Sequence, residues 1–202
     1  MQISSAEFDR SAPDLDSCPD ESLPEFAFIG RSNVGKSSLI NLLLGRRELA
    51  KVSATPGHTK MINFYTVNRT WRLVDLPGYG FAEVARANRE KFSESVGEYL
   101  SQRPNLGGIF LLIDSRHPPQ KLDLEFIHWL GSCSAPFALV FTKTDKASET
   151  RVQANIKAFL ESLSGTFATL PEVYTTSAVE RTGRTELLAV IERALAEESS
   201  ES

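Results

Sequence analysis

A chain of 202 residues with 41% hydrophobic and 24% charged residues suits one α/β domain with an ample core. No apolar run reaches membrane-spanning length, and residues 1–5 lack a basic region leading into an apolar stretch, so neither a membrane span nor an export signal is expected. Two cysteines, Cys18 and Cys133, show no framework or metal-ligand spacing, which fits a reducing cytoplasm. The net charge of −4 is unevenly spread: residues 1–25 carry −6, the last six residues −3, and the body between them +5. Within that body, residues 31–72 hold eight Lys or Arg against Glu48 alone. Such a basic edge either meets RNA electrostatically or serves a bound anion and solvent.

In chain order, residues 1–22 read as an acidic, flexible N-terminal segment with an edge strand near 6–10. Residues 23–197 read as a single domain, and 198–202 as an acidic tail. A short apolar strand at 26–29 breaks at Gly30, and a helical apolar pattern (Leu39, Ile40, Leu42, Leu43) starts after Gly35-Lys36-Ser37. Residues 46–60 show no clear period, and Pro56-Gly57 marks a loop. Strands at 61–67 and 70–75 join at Asn68-Arg69, a hairpin signal. A helix at 83–101 then leads to strand 108–114, helix 119–131, strand 137–142, helix 148–163, strand 172–176 and helix 184–197. Strands alternating with helices predict a three-layer α/β/α domain with right-handed crossovers, a mostly parallel sheet and one antiparallel hairpin strand.

The stretch Gly30-Arg31-Ser32-Asn33-Val34-Gly35-Lys36-Ser37-Ser38 matches G-x-x-x-x-G-K-[ST] between a strand and a helix, the context of a phosphate-binding loop. Glycines let successive backbone N–H groups approach polyphosphate oxygens, and the helix N-terminus adds fixed positive charge. Lys36 is expected to reach the β- and γ-phosphates and the Ser37 hydroxyl to ligate Mg²⁺. Asp75-Leu76-Pro77-Gly78 ends a second apolar strand. Its carboxylate suits the magnesium shell through water, and its Gly78 N–H suits a γ-phosphate, which makes the segment sensitive to that phosphate.

Two later stretches address the base. Thr142-Lys143-Thr144-Asp145, after strand 137–142, resembles the Asn-Lys-x-Asp motif of regulatory GTPases. In that motif the Asp accepts protons from guanine N1 and N2, and the Lys stem covers the base. Thr142 departs from the usual Asn; its hydroxyl can still tie the loop to the phosphate loop, with weaker nucleotide retention expected. Thr176-Ser177-Ala178 resembles the fifth motif, whose backbone N–H receives guanine O6. In this order, the motifs predict a guanine-nucleotide-binding P-loop domain.

Together with Thr55-Pro56-Gly57-His58-Thr59 and Asp75-Leu76-Pro77-Gly78-Tyr79-Gly80, these stretches resemble the bacterial EngB family, also called YihA or YsxC. The likeness spans residues 24–196, with His58-Thr59-Lys60 as a departure from the family's expected residues. It implies a Ras-like P-loop GTPase with low intrinsic rate, acting in assembly of the large ribosomal subunit and needed for normal cell division and septation. By position, Gly57 and His58 join the nucleotide site, Thr59 becomes the switch threonine on Mg²⁺, and catalysis falls to Lys36, Thr59 and Gly78. Tyr79 stands where Ras-like enzymes carry the water-orienting glutamine, and a phenol cannot replace a carboxamide. Asn33 has two readings: by resemblance it coordinates K⁺ beside the phosphates, or it bonds only its own loop. The implied partners are GTP, GDP and the large ribosomal subunit, without DNA or membrane, for a monomeric protein. A septation factor acting through a protein partner is the alternative, and a metabolic P-loop kinase a third reading that the guanine motif disfavours.

Overall fold

The computed structural model describes residues 1–50, 61–79, 86–133 and 135–201, and of 86–93 and 198–201 the backbone alone. The elements run β1 (Ala6–Ala12), β2 (Glu25–Gly30), α1 (Lys36–Leu44), β3 (Ile62–Val67), β4 (Trp71–Asp75), α2 (Arg86–Gln102), β5 (Leu106–Asp114), α3 (Lys121–Leu130), β6 (Phe137–Thr142), α4 (Glu149–Leu163), β7 (Val173–Thr175) and α5 (Arg184–Glu201). Seven strands form one sheet in the order β1-β3-β4-β2-β5-β6-β7. Only β3 opposes its neighbours; β2 with β4, β2 with β5, β5 with β6, and β6 with β7 are parallel pairs. The predicted α/β/α sheet with one antiparallel strand is therefore present. The last helix continues past the predicted end at 197, and a 3₁₀ turn (Thr144–Lys146) interrupts the stretch after β6.

The central strands read as continuous apolar runs because both faces are covered. Along β2, Phe26 and Phe28 pack on α1 and α5 with Leu39, Ile40, Leu43, Leu187 and Ile191. Ala27 and Ile29 face the other way, toward Val96 and Tyr99 of α2, Ile127 of α3 and Phe159 of α4. Side chains alternate across a strand, so one six-residue strand feeds both cores. Each fully buried Phe or Leu here stabilises by about 1.5–3 kcal/mol.

The hairpin between β3 and β4 turns through residues 68–70, with Asn68 (φ 49°) and Arg69 (φ 60°) both left-handed and the Thr70 N–H donating to the Val67 carbonyl at 3.0 Å. Asn68 is well suited to it. Its Oδ1 accepts from the Ser4 and Ser5 backbone N–H groups, and its Nδ2 donates to the Gln2 carbonyl, fastening the N-terminus over the turn. From there β1 runs antiparallel along β3 as an edge strand, with a bulge between Phe8 and Arg10.

The acidic lead-in is organised by a buried carboxylate. Glu25 is fully buried and takes a two-pronged contact from Arg103 (Nε to Oε2 2.9 Å, Nη2 to Oε1 2.8 Å). Tyr99 donates its hydroxyl to the same carboxylate at 2.8 Å, and Arg72 lies 3.5 Å away. Arg103 also donates to the Pro19 carbonyl and Arg72 to the Asp20 carbonyl, so residues 19–25 are laid over this end of the sheet. Hydrogen bonds from Ser22 and then Arg72 hold the Asp20 carboxyl down at about 2. Arg72, counted in the basic stretch of the sequence, is thus buried among acids. Lys36 is buried as well, and the exposed cations described in that stretch are Arg46, Arg47 and Arg69.

Candidate active site

All parallel strands end at the same edge of the sheet, and the predicted motifs among the described residues gather there. The loop after β2 is shaped by two left-handed residues, Asn33 (φ 63°) and Gly35 (φ 104°). Gly35 is the N-cap of α1, and no side chain caps that end, leaving the first N–H groups facing the loop. Val34 N–H closes a turn on the Arg31 carbonyl at 3.2 Å. Gly78 lies directly against this loop. A Cβ on it would sit 2.9 Å from the Gly30 carbonyl oxygen and 3.1 Å from the Ser32 nitrogen. Only a bare backbone permits so close an approach. The neighbouring Tyr79 N–H donates to the Gly30 carbonyl at 3.2 Å, joining the end of β4 to the phosphate loop.

Lys36 and Asp75, drawn from α1 and the end of β4, are both buried and form an ion pair through Nζ and Oδ1. Ser37, next on α1, has no side-chain partner among the described residues. A serine hydroxyl and a buried carboxylate are the hard oxygen donors that Mg²⁺ prefers. The donor set fits.

The predicted base motifs are fastened to the same loop. Thr142 Oγ1 donates to the Val34 carbonyl at 2.6 Å, with the Ile113 carbonyl at 3.2 Å as a second acceptor. Lys143 adopts φ 59° and donates through Nζ to the Asn33 carbonyl at 2.6 Å; its Cε lies 3.6 Å from where a Gly35 Cβ would sit. Asp145 accepts from the Ser177 hydroxyl at 2.7 Å, and that bond, aided by Lys146 at 3.2 Å, holds its carboxyl below the ordinary range. Thr144 N–H and hydroxyl both point at the Thr176 carbonyl (3.3 and 3.2 Å), so the two base loops are stitched together beside Ala178. Of the predicted nucleotide residues, Gly57, His58 and Thr59 lie outside the described residues.

A sequence profile of the family described as 50S ribosome-binding GTPase matches residues 25–143. A probable GTP-binding protein EngB from Bacteroides fragilis is 50% identical over 192 residues, covering 95% of this chain and 96% of its own. The chain belongs to the EngB family of P-loop GTPases. A Porphyromonas gingivalis EngB is 49% identical over 95% of this chain and 96% of its own. The crystal structure of a probable GTP-binding protein EngB superposes with a TM-score of 0.68 at 24% identity, over 86% of this chain and 99% of that one. Era of Aquifex aeolicus bound to GDP·AlF4⁻ gives 0.68 at 22% identity, over 86% and 57% of the two chains. Both share the fold.

In this EngB-family chain Tyr79 is turned onto α3. Its ring stacks on Phe126 with centroids 4.3 Å apart, and its hydroxyl donates to Asp123 Oδ1 at 2.8 Å. Burial pushes the phenol well up, reinforced by the Asp123 charge, and burial likewise pushes the Asp123 carboxyl up. The sequence reading missed Asp123, and it missed Asp114 and Arg116 at the end of β5. Arg116 grips Asp114 with two bonds (2.8 and 2.7 Å), and Lys143 Nζ reaches the same carboxylate at 2.8 Å. Burial alone would raise the Asp114 carboxyl; the Arg116 and Lys143 bonds outweigh it and hold it well below the carboxylate range. An acid closing a buried apolar strand is the signal that exposed Asp75, and Asp114 carries the same signal. Between this loop and the phosphate loop lies a cavity of about 230 Å³ lined by Arg31, Asn33, Asp114, His117, Gln120 and Asp123.

Proposed function

We propose that this GTPase is a slow, Mg²⁺-dependent molecular switch that docks on the large ribosomal subunit during assembly in its GTP form and leaves after hydrolysis. The observation that carries the reading is the match of residues 25–143 to a family described by binding to that subunit. The exposed Arg46, Arg47 and Arg69 support an RNA-facing surface, while Lys51 and Lys60 of the same stretch lie outside the described residues. A cytoplasmic location agrees with this partner. Among the described residues no helix is long and apolar enough to cross a membrane.

In the mechanism proposed, residues 30–38 cradle the phosphates with backbone N–H groups, and Lys36 exchanges Asp75 for the β- and γ-phosphates. That exchange would free the Asp75 carboxylate to hold Mg²⁺ through water, and Ser37 and Thr59 would hold the ion. When bound, Mg²⁺ neutralises charge on the β- and γ-phosphates. Gly78 N–H reads the γ-phosphate from a backbone already packed on the loop, with Leu76 and Pro77 carrying it from the strand end. Asp145 and the Ala178 N–H read the guanine edge, and the Lys143 stem covers its face. Thr142, Thr144, Thr176 and Ser177 hold those groups in place.

With Tyr79 held on α3, no side chain described replaces the glutamine that orients water in Ras-like enzymes, which favours a low intrinsic rate. We assign the missing electrostatic help to K⁺ at Asn33, whose side chain bonds nothing in its own loop among the described residues. Its left-handed backbone by itself suits asparagine, so the ion must be tested directly. Turnover should rise in KCl over NaCl at equal ionic strength, and equal rates would remove the K⁺ role.

Co-sedimentation with large ribosomal subunits tests the function. Binding with a non-hydrolysable GTP analogue, lost with GDP and weakened by salt, is the expected result. Absence of binding in both states would overturn it and point to a protein partner in septation.

A further inference from the structure

The guanine reading leaves Asp114 and Arg116 without a task. Asp114 closes β5 and Arg116 sits on the turn that leaves it, and that turn is well secured. Ser115 is fully buried, its N–H donates to the Thr142 carbonyl at 3.1 Å, and its own carbonyl accepts from Asn155 Nδ2 of α4 at 2.8 Å. The backbone carrying Asp114 is thereby fixed against β6 and α4 at once.

The carboxylate then reaches out of that frame in two directions. Arg116 occupies both its oxygens, in the parallel two-bond geometry that fixes a carboxylate plane as well as neutralising it. Oδ2 also accepts from Lys143 Nζ, whose remaining described bond goes to the Asn33 carbonyl of the phosphate loop. A lysine side chain has a flexible four-carbon stem and loses much rotamer freedom when ordered. Here both ends are held. The backbone is locked in a left-handed conformation by the loop, and the ammonium is clamped between an acid and a carbonyl. The stem between them crosses Gly35.

We propose that Asp114, oriented by Arg116, is a positioning residue for nucleotide binding: it preorders Lys143, so that the stem covers the purine face and the phosphate loop keeps its shape before nucleotide arrives. This deepens the guanine-site reading and rests on it. Preordering removes an entropic cost that binding would otherwise carry, so its loss is felt mainly in how long the nucleotide stays. Lys143 touches the purine plane and not its donor pattern. Asp114 therefore governs retention of any purine that Asp145 and Ala178 admit, and leaves the choice among bases alone.

The test is a cycle of GDP release rates from the full chain, followed by stopped flow with a fluorescent GDP. Asp114→Ala and Lys143→Ala should each speed release roughly ten- to hundredfold, the scale of a hydrogen bond to a charged group. The double variant should release no faster than Lys143→Ala alone, because Asp114 acts through Lys143. GDP and IDP release should accelerate in the same proportion. If Asp114→Ala proves too unstable to assay, the isosteric Asp114→Asn is read in the same cycle and should give a smaller acceleration of the same kind. Multiplicative effects in the double variant would overturn the inference and mark Asp114 as a general structural residue. Release that is fast in Lys143→Ala but unchanged in Asp114→Ala and Asp114→Asn would overturn it too. Unchanged release in Lys143→Ala would instead overturn the guanine-site reading itself.

Discussion

Tyr79 follows Asp75-x-x-Gly78 directly, and sequence could place its backbone but not its ring. The ring's partners, Asp123 and Phe126, are more than forty positions further on, so its direction is set by how α3 docks. Because the phenol is engaged there, Tyr79→Phe should leave GTP turnover within about twofold. It should also lower the melting temperature by several degrees, since an unpaired buried acceptor costs about 1–3 kcal/mol. A hydrolysis rate reduced by a factor of about ten or more would show that the hydroxyl works at the phosphates. Asp114 yields a second prediction at this scale. Its folded-state carboxyl is depressed, so its contribution to stability is present above the ordinary carboxylate range and is lost as pH falls through the lowered value. Unfolding midpoints of the unaltered chain and Asp114→Asn should therefore differ most near neutrality and begin to converge only below about pH 4, with the gap closing as pH falls through the lowered value. A gap that stayed constant with pH would contradict the ion-pair account.

At the scale of elements, the strand–loop–helix signal around Gly30 and Lys36 was readable because local rules agree there. An apolar run, two glycines and a helical period allow few alternatives. Helix ends were less legible: α5 continues through Glu197 and Glu198 because the polar residues there neither break nor cap a helix. Coupling between elements was readable only where a motif predicted it. Thr142 was such a case, and its hydroxyl does join β6 to the phosphate loop through Val34. Thr142→Val keeps the shape and removes the donor. GDP release should quicken roughly two- to tenfold, the worth of one neutral hydrogen bond, with GTP hydrolysis little changed in single turnover. Unchanged release would mean that the Val34 contact does not set nucleotide dwell.

Across the whole molecule, the two ends of β2 do different work. Gly30 opens the proposed nucleotide site, while Glu25 gathers Arg72, Arg103 and Tyr99 into a buried cluster under the acidic lead-in. That cluster was illegible in sequence, where Glu25 is one more acid among seven and its partners lie 47 to 78 positions away. Removing one member leaves two buried cations short of charge. Glu25→Ala should thus cost about 3–5 kcal/mol by urea unfolding, yet leave GDP affinity of the folded fraction unchanged. Affinity lost in parallel with stability would mean that the two ends of the strand are coupled.

The proposed guanine site depends on Asp145, in the loop that Ser177, Thr176 and Thr144 hold in place. The most direct measurement is equilibrium binding of GTP and XTP to the unaltered chain and to Asp145→Asn. An amide offers guanine N1 and N2 a donor where they need an acceptor, and offers xanthine the donor its O2 lacks. Preference should pass from GTP to XTP in the variant while its melting temperature stays close to that of the unaltered chain. GTP affinity retained in Asp145→Asn, with no gain for XTP, would contradict the assignment of this edge of the sheet as the base pocket.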